Sequence, residues 1–287
     1  MVHHRPTTRV VFITGTDTGV GKTLLTALLL RHLREKGFHS WALKPFCSGD
    51  RGDALLLHKL AEGELTLDEI NPFYFPEPVA PLVSARRHRR NIRLEDAVNH
   101  IERIAARLGF KQRRGGHNLH GNSTESVLLV EGVGGLLVPL GEGFTVIDFA
   151  ACLDCEMILV SQNRLGTINH TLLSVESLRQ HRRKRCNAHV RALEIVLMET
   201  SKTDASSASN AAIIRELAAP IAVFPFPFLG SGAKTAGTIK NRAREQVHVL
   251  KRIISGETKS VNAGVGGTAP DAISKKLIVK NSPILPS

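Results

Sequence analysis

Apolar positions along this chain fall into short unbroken runs that alternate with stretches of helical period. The first run, VVFIT at 10–14, is β-branched and reads as a buried strand. The next stretch, TLLTALLLRHLREK at 23–36, has helical spacing and is closed by Gly37 in the position that favours a left-handed cap. A second strand is expected at 39–44 (HSWALK), taken as central, and a short helix at 53–61 (DALLLHKLA). The stretch 91–108 is strongly amphipathic, with Leu94, Ala97, Val98, Ile101, Ile104, Ala105 and Leu108 on one face. A polar, glycine- and arginine-rich segment at 109–126 reads as an exposed loop. Further strands are expected at 127–130 (VLLV), 156–160 (EMILV), 193–197 (LEIVL) and 221–224 (IAVF), with helices at 167–180, 210–217 and 242–254. Continuous apolar strands separated by helices predict an α/β fold, a parallel sheet flanked by helices on both faces. One such domain is expected over 1–254. The polar, small-residue tail at 255–287 reads as disordered.

In such a sheet, ligands bind in the crevice beyond the carboxyl ends of the strands. The segment after the first strand is GTDTGVGK, running straight into a helix. A glycine-rich strand-to-helix turn aims backbone N–H groups and the positive end of a helix dipole at an anion. Lys22 is placed to reach outer phosphates, and Thr23 to set its hydroxyl on Mg²⁺. The usual first glycine is displaced: Thr16 occupies its position and Gly15 precedes it. The loops after the other strands are KPFCSGDRGD at 44–53, EGVGG at 131–135 and QNRLGTINH at 162–170. Lys44 ends an apolar strand, a costly place for a cation unless an anion meets it. Asp53 and Glu131 face the same crevice and, with Thr23, form a set of hard oxygen donors suited to one Mg²⁺. Asp53 has an alternative role as a helix N-cap. Glu131, directly after VLLV, would otherwise bury a charge without a partner.

Composition narrows the field. The chain has 287 residues, 42% of them hydrophobic, and a net charge of +12 from 38 basic and 26 acidic residues. The excess is concentrated in RRHRRNIR at 86–93 and QHRRKRCNAHVR at 180–191. Neither run interleaves aromatics for base stacking, so both read as solvated loops rather than a specific nucleic-acid surface. The cysteines are Cys47, Cys152, Cys155 and Cys186. Cys152 and Cys155 form a CxxC with no second pair to complete a zinc site, and at the end of FTVIDFAACLDC they read as core. The histidines show no HExxH-like spacing. No apolar run approaches a membrane span, and MVHHRPTTR lacks a signal-peptide apolar region, so a cytoplasmic protein is expected.

TGTDTGVGKT, KPFCSG, GDALLL, NPFYFPEPVAP, VEGVGGLLVPL and LGTINHTLL occur in that order. Together they resemble the dethiobiotin synthetase family, from about residue 10 to about 171 and more loosely to 229. The resemblance implies a homodimeric P-loop ATPase that converts diaminononanoate, CO2 and ATP to dethiobiotin, ADP and phosphate. It implies ATP at Gly19, Val20, Gly21, Lys22, Thr23, Leu24, Asp53, Glu131, Gly132, Val133 and Gly134, with Mg²⁺ on Thr23, Asp53 and Glu131. It implies that Lys44, Lys22 and Ser48 serve catalysis. The substrate is expected against Thr18, Lys44 and Ser48, and its carboxylate against Gly166, Thr167, Ile168, Asn169 and His170 of the partner subunit. Gly19 stands where some members carry glutamate. Met198 and Glu199 stand where some members read adenine with an asparagine, and FPFPF at 224–228 is a candidate wall of the base pocket. The rival class is a partitioning-type ATPase switch that binds DNA through its basic surface. Such switches carry a lysine in KGGVGKT where this chain has Asp17, a reversal of charge. A related amidotransferase-like ligase would need a glutaminase domain for which the chain has no room.

Overall fold

The computed structural model describes residues 8–114, 126–184, 190–230, 232 and 235–255. Strand β1 (Thr8–Gly15) is hydrogen-bonded on one side to β5 (Ser126–Gly135) and on the other to β8 (Cys155–Gln162), parallel to both. The sheet is extended by β2 (His39–Leu43) beyond β5, and by β9 (Val190–Met198) and β10 (Ala222–Phe226) beyond β8. The six-stranded order is therefore β10-β9-β8-β1-β5-β2, with every pairing parallel. Pairing brings Glu131 opposite Ile13, at the end of β1 that enters the phosphate loop.

Alternate residues of the strands feed two cores, as the pleat requires. Leu159, Ile195, Leu197 and Val223 meet α7 (Thr167–Lys184) and α8 (Ser207–Leu217) through Val175, Ile214 and Ala218. Ile158, Val160, Val196, Phe224 and Phe226 belong to the larger core. That core also holds apolar residues of α1 (Lys22–Glu35), α2 (Gly52–Leu60), α5 (Leu94–Arg114), α6 (Val146–Ala151), α9 (Ala236–Glu245) and α10 (Val247–Ser255). Burial on both faces is why these strands read as continuous apolar runs. Gly37 (φ 82°) closes α1 as expected, and Phe38 N–H returns to the Leu33 carbonyl at 3.0 Å.

Several boundaries differ from the sequence reading. β2 is the sheet edge, not a central strand. The amphipathic helix starts at Leu94 and runs to Arg114, so 109–114 are helical, and Ser126 opens β5; residues 115–125 lie outside the described set. EGVGG continues β5 rather than forming a loop. The last helix is two helices, α9 and α10, divided at Gln246. Small elements were not anticipated: α3 (Leu67–Ile70), α4 (Pro81–Arg87), and the pairs β3 (Phe46–Ser48) with β4 (Phe73–Phe75) and β6 (Pro139–Gly141) with β7 (Phe144–Thr145). Arg86 and Arg87 end α4 rather than starting a loop, although Arg87 to Asn91 are exposed. Residues 180–184 continue α7 and 190–191 begin β9. Cys155 is buried as expected, but Cys152 is exposed, because the chain turns out of α6 before re-entering the sheet. Cys186, residues 185–189 and the tail 256–287 lie outside the described residues.

Candidate active site

The phosphate loop answers the question of the displaced glycine. A side chain at Gly15 would lie 2.8 Å from Val20 Cγ2 and 3.1 Å from Lys22 Nζ, so the tight approach falls one residue earlier than in the usual pattern. Thr16 is free to carry a side chain. Its N–H binds the Val160 carbonyl at 2.9 Å, and its hydroxyl meets Ser161 Oγ at 3.2 Å, pinning the loop to β8. Gly21 caps α1 in the left-handed region (φ 104°) without a side-chain cap, which leaves the first-turn amides for an anion. Lys22 Nζ donates to the Asp17 carbonyl at 2.7 Å and so bridges the loop.

Three side chains converge under this loop. Glu131 is fully buried, and its Oε1 accepts from Thr23 Oγ1 at 2.7 Å and from Lys44 Nζ at 2.6 Å. Lys44 Nζ also lies 3.5 Å from Asp53 Oδ2. Glu131 is therefore not the unpartnered charge its sequence position suggested; the anion that meets Lys44 and the cation that meets Glu131 are each other. The other carboxylate oxygen, Glu131 Oε2, is buried without a hydrogen-bond partner. Asp53 is the second residue of α2, whose N-cap is Arg51, so it is not the helix cap. Asn71 Nδ2 holds the Lys44 carbonyl at 2.8 Å, and Lys44 N–H reaches the Ile70 carbonyl at 3.0 Å, fixing the edge of the pocket. Burial pulls Lys22 down to about 8, with the Lys44 charge adding to the effect and Glu131, Asp53 and Asp17 opposing it. Burial also disfavours charge on Lys44, but Glu131 and Asp53 together outweigh it and hold that ammonium above its ordinary range.

A pocket of about 230 Å³ is lined by Thr18, Gly19, Gly21, Lys22, Thr23, Leu24, Lys44, Ser48, Asp53, Glu131, Val133 and Gly134. Of the expected site residues in the first three loops, all but Val20 and Gly132 line this cavity. Val20 is buried beneath it, and Gly132 offers a carbonyl 3.5 Å from Lys44 Nζ. Ser48 Oγ is buried with no hydrogen-bond partner. Cys47 and Asp50 also line the pocket and were not singled out from the sequence, although both lie inside KPFCSGDRGD. Met198 packs on the loop: a side chain at Gly21 would lie 3.1 Å from Met198 Cε. Glu199 accepts from Asn163 Nδ2 at 2.8 Å, inside a buried amide network with Asn210. The segment Gly166 to Asn169 does not line this pocket. Thr167 turns inward, its hydroxyl 2.7 Å from Ser161 Oγ, while His170 lines a separate groove of about 460 Å³ with Asp17, Leu136, Leu137, Val138 and Leu173. No cluster of three or more His, Cys, Asp or Glu side chains suited to a metal occurs among the described residues. The oxygens of Thr23, Asp53 and Glu131 fit an Mg²⁺ that keeps several waters, and the orphaned Glu131 Oε2 is the buried donor such an ion would complete.

A parallel sheet, a glycine-rich loop capping α1 and a lysine-threonine pair at its start define a P-loop nucleotide-binding protein. A family model described as an AAA domain matches residues 9–216. The fold is similar to that of the MinC:MinD cell division complex of Aquifex aeolicus, with a TM-score of 0.52 and 15% identity over 87% of this chain and 97% of that one. ATP-dependent dethiobiotin synthetase BioD of Bacillus licheniformis is 39% identical over 174 residues, 59% of this chain and 67% of that relative. The corresponding enzyme of Anaeromyxobacter dehalogenans strain 2CP-C is 34% identical over 239 residues, 80% of this chain and 96% of that relative. The chain belongs to the ATP-dependent dethiobiotin synthetase family.

Proposed function

We propose that this chain carboxylates and cyclises diaminononanoate with CO2 and ATP, giving dethiobiotin, ADP and phosphate in biotin biosynthesis. The observation that carries the reading is the single pocket in which the phosphate loop, Lys44, Ser48 and the two carboxylates meet. The DNA-binding switch finds no comparable support.

One substrate amine adds to CO2, forming an N–C bond and releasing a proton to solvent. Lys44 offsets the charge of the resulting carbamate, and the unpartnered Ser48 hydroxyl donates to it. The first-turn amides of α1 and Lys22 hold the ATP phosphates. The carbamate oxygen attacks the γ-phosphorus, the bond to the β-phosphate oxygen breaks, and ADP leaves. The second amine then attacks the anhydride carbon, closes the cyclic urea and expels phosphate. Catalysis here is positioning and charge neutralisation, with water kept out to spare the anhydride. Mg²⁺ held by Thr23, Asp53 and Glu131 would neutralise phosphate charge. Gly166, Thr167, Ile168 and Asn169 would receive the substrate carboxylate at the α7 N-terminus, across the interface of a homodimer. Among the described residues no helix is long and apolar enough to cross a membrane, and the ATP requirement suits a cytoplasmic site. The deciding assay is ADP release that requires both diaminononanoate and bicarbonate, with labelled bicarbonate carbon recovered in dethiobiotin. ADP release indifferent to the diamine overturns the reading.

A further inference from the structure

Lys44 sits against the two carboxylates that would hold the metal. Lys44 Nζ lies 2.6 Å from Glu131 Oε1 and 3.5 Å from Asp53 Oδ2, and the Thr23 hydroxyl donates to that same Oε1 at 2.7 Å. These are the three residues whose oxygens fit Mg²⁺. Lys44 and Glu131 are both almost completely buried. A carboxylate this deep without a counter-cation is strongly unfavourable, so the fold supplies one from its own chain. A divalent ion held by the Glu131 and Asp53 carboxylates, through Oε2 as well, would lie close to this ammonium, and like charges in a shielded pocket repel strongly.

We propose that Lys44 is an internal stand-in for the metal, and that loading the metal site releases Lys44 toward Ser48 to receive the carbamate. The inference rests on the reading above, in which Lys44 serves the carbamate, and adds an order to it. The pocket presents its substrate cation only after its carboxylates have been taken over. Lys44 shares its cavity with a hydroxyl that has no partner, Ser48 Oγ. Metal affinity and the freedom of Lys44 are then linked, and each changes the other by the same factor.

The test is a titration with Mn²⁺ alone, without nucleotide, reading the free ion by electron paramagnetic resonance. Lys44→Met, which keeps the apolar stem, and Lys44→Ala are expected to bind Mn²⁺ at least about fivefold tighter than wild type, because the competing cation is gone. Glu131→Gln is expected to lose most of the affinity. Unchanged or weaker binding in the lysine variants, or undiminished binding in Glu131→Gln, overturns the proposal. In the wild-type protein, reductive methylation followed by mass spectrometry should label Lys44 faster when Mg²⁺ is present; equal or slower labelling overturns it too. If wild type makes dethiobiotin but Lys44→Met gains no metal affinity, the exchange is wrong and the catalytic reading stands. If Lys44→Met gains affinity while wild type shows no bicarbonate-dependent ADP release, the exchange stands and the catalytic reading fails.

Discussion

Two buried lysines share one pocket, and their surroundings separate their tasks. Lys22 spans the phosphate loop to the Asp17 carbonyl, whereas Lys44 is paired with Glu131 and Asp53. Lys22→Ala should therefore weaken ATP binding itself. Lys44→Ala should bind Mg·ATP at least as well as wild type yet lose about a hundredfold in turnover, roughly 3 kcal/mol of barrier at the reacting centre. Titration with a fluorescent ATP analogue beside a turnover assay separates the two; full dethiobiotin synthesis by Lys44→Ala would remove Lys44 from the mechanism. Lys22 also sets a pH dependence. With its folded value lowered to about 8, it is mostly charged below that pH and mostly neutral above it in the free protein. Bound phosphate favours the charged form, so binding above pH 8 must take up a proton. ATP affinity should fall between pH 8 and 9, by up to about tenfold per unit, and Lys22→Arg should flatten the curve. At this scale the sequence was informative because charges in apolar surroundings stand out: Lys44 and Glu131 were found that way. Their pairing was not legible, since the two residues are 87 positions apart in the chain and meet only through the β2–β5 register. Asp50 and Cys47 carried no such contrast inside a polar loop.

Elements were legible in proportion to how much of themselves they bury. The six sheet strands appear as apolar runs because each is covered on both faces, and α1 and α5 because their periodicity extends over several turns. β3, β4, β6 and β7 are only two or three residues long, too short for a period. Strand order was not legible either: β2 has the composition of an interior strand but lies at the edge, with Trp41 and Leu43 covered by the surrounding helices. The β6–β7 turn illustrates local packing that no pattern announces. A side chain at Gly141 would lie 2.3 Å from both the Ile92 carbonyl and Phe144 Cε1. Gly141→Ala should cost on the order of 1–3 kcal/mol in a denaturant titration, and an unchanged midpoint would mean that the turn yields freely. Far from the pocket, β9 places Glu194 opposite Ile158 of β8, on the strand face shared by Glu156, which Arg9 holds through Nε at 2.9 Å. Burial, then the Glu156 charge, raises Glu194 to about 7 against the pull of Arg9. The folded protein thus binds this proton more tightly than the unfolded chain, and the stability it contributes is lost as pH rises from about 4.5 through about 7. Glu194→Gln should match wild type at pH 5 and exceed it at pH 8 by on the order of 1–2 kcal/mol, read from denaturant midpoints at the two pH values. Equal stability at pH 8 would show that water or Arg9 already accommodates the charge.

At the scale of the whole molecule, the apolar surface is unevenly distributed. Leu137, Leu165 and Leu173 are 67%, 78% and 61% exposed, and Leu137 and Leu173 line one groove beside the phosphate loop. Two exposed leucines in one groove suit the interface of the homodimer proposed above. The groove includes Asp17 from the loop and His170 from the first turns of α7, so a second copy seated there would lie against both the nucleotide site and the Gly166 to Asn169 segment. In the homodimer proposed above, a segment absent from its own chain's pocket would complete the partner's. Wild-type protein is expected to sediment as a dimer. Leu173→Asp puts a charge into the groove without touching the ATP pocket, and should shift the protein to monomer in analytical ultracentrifugation. Because each chain carries its own phosphate loop, Lys22 and Glu131, the monomer should still bind Mg·ATP. Its kcat/KM should fall, mainly through a raised KM for diaminononanoate, since the contacts removed are those to the substrate carboxylate and not those to the reacting atoms. A monomeric Leu173→Asp protein with wild-type KM for the diamine would show that each subunit's site is complete alone, and would remove Gly166 to Asn169 from the substrate site.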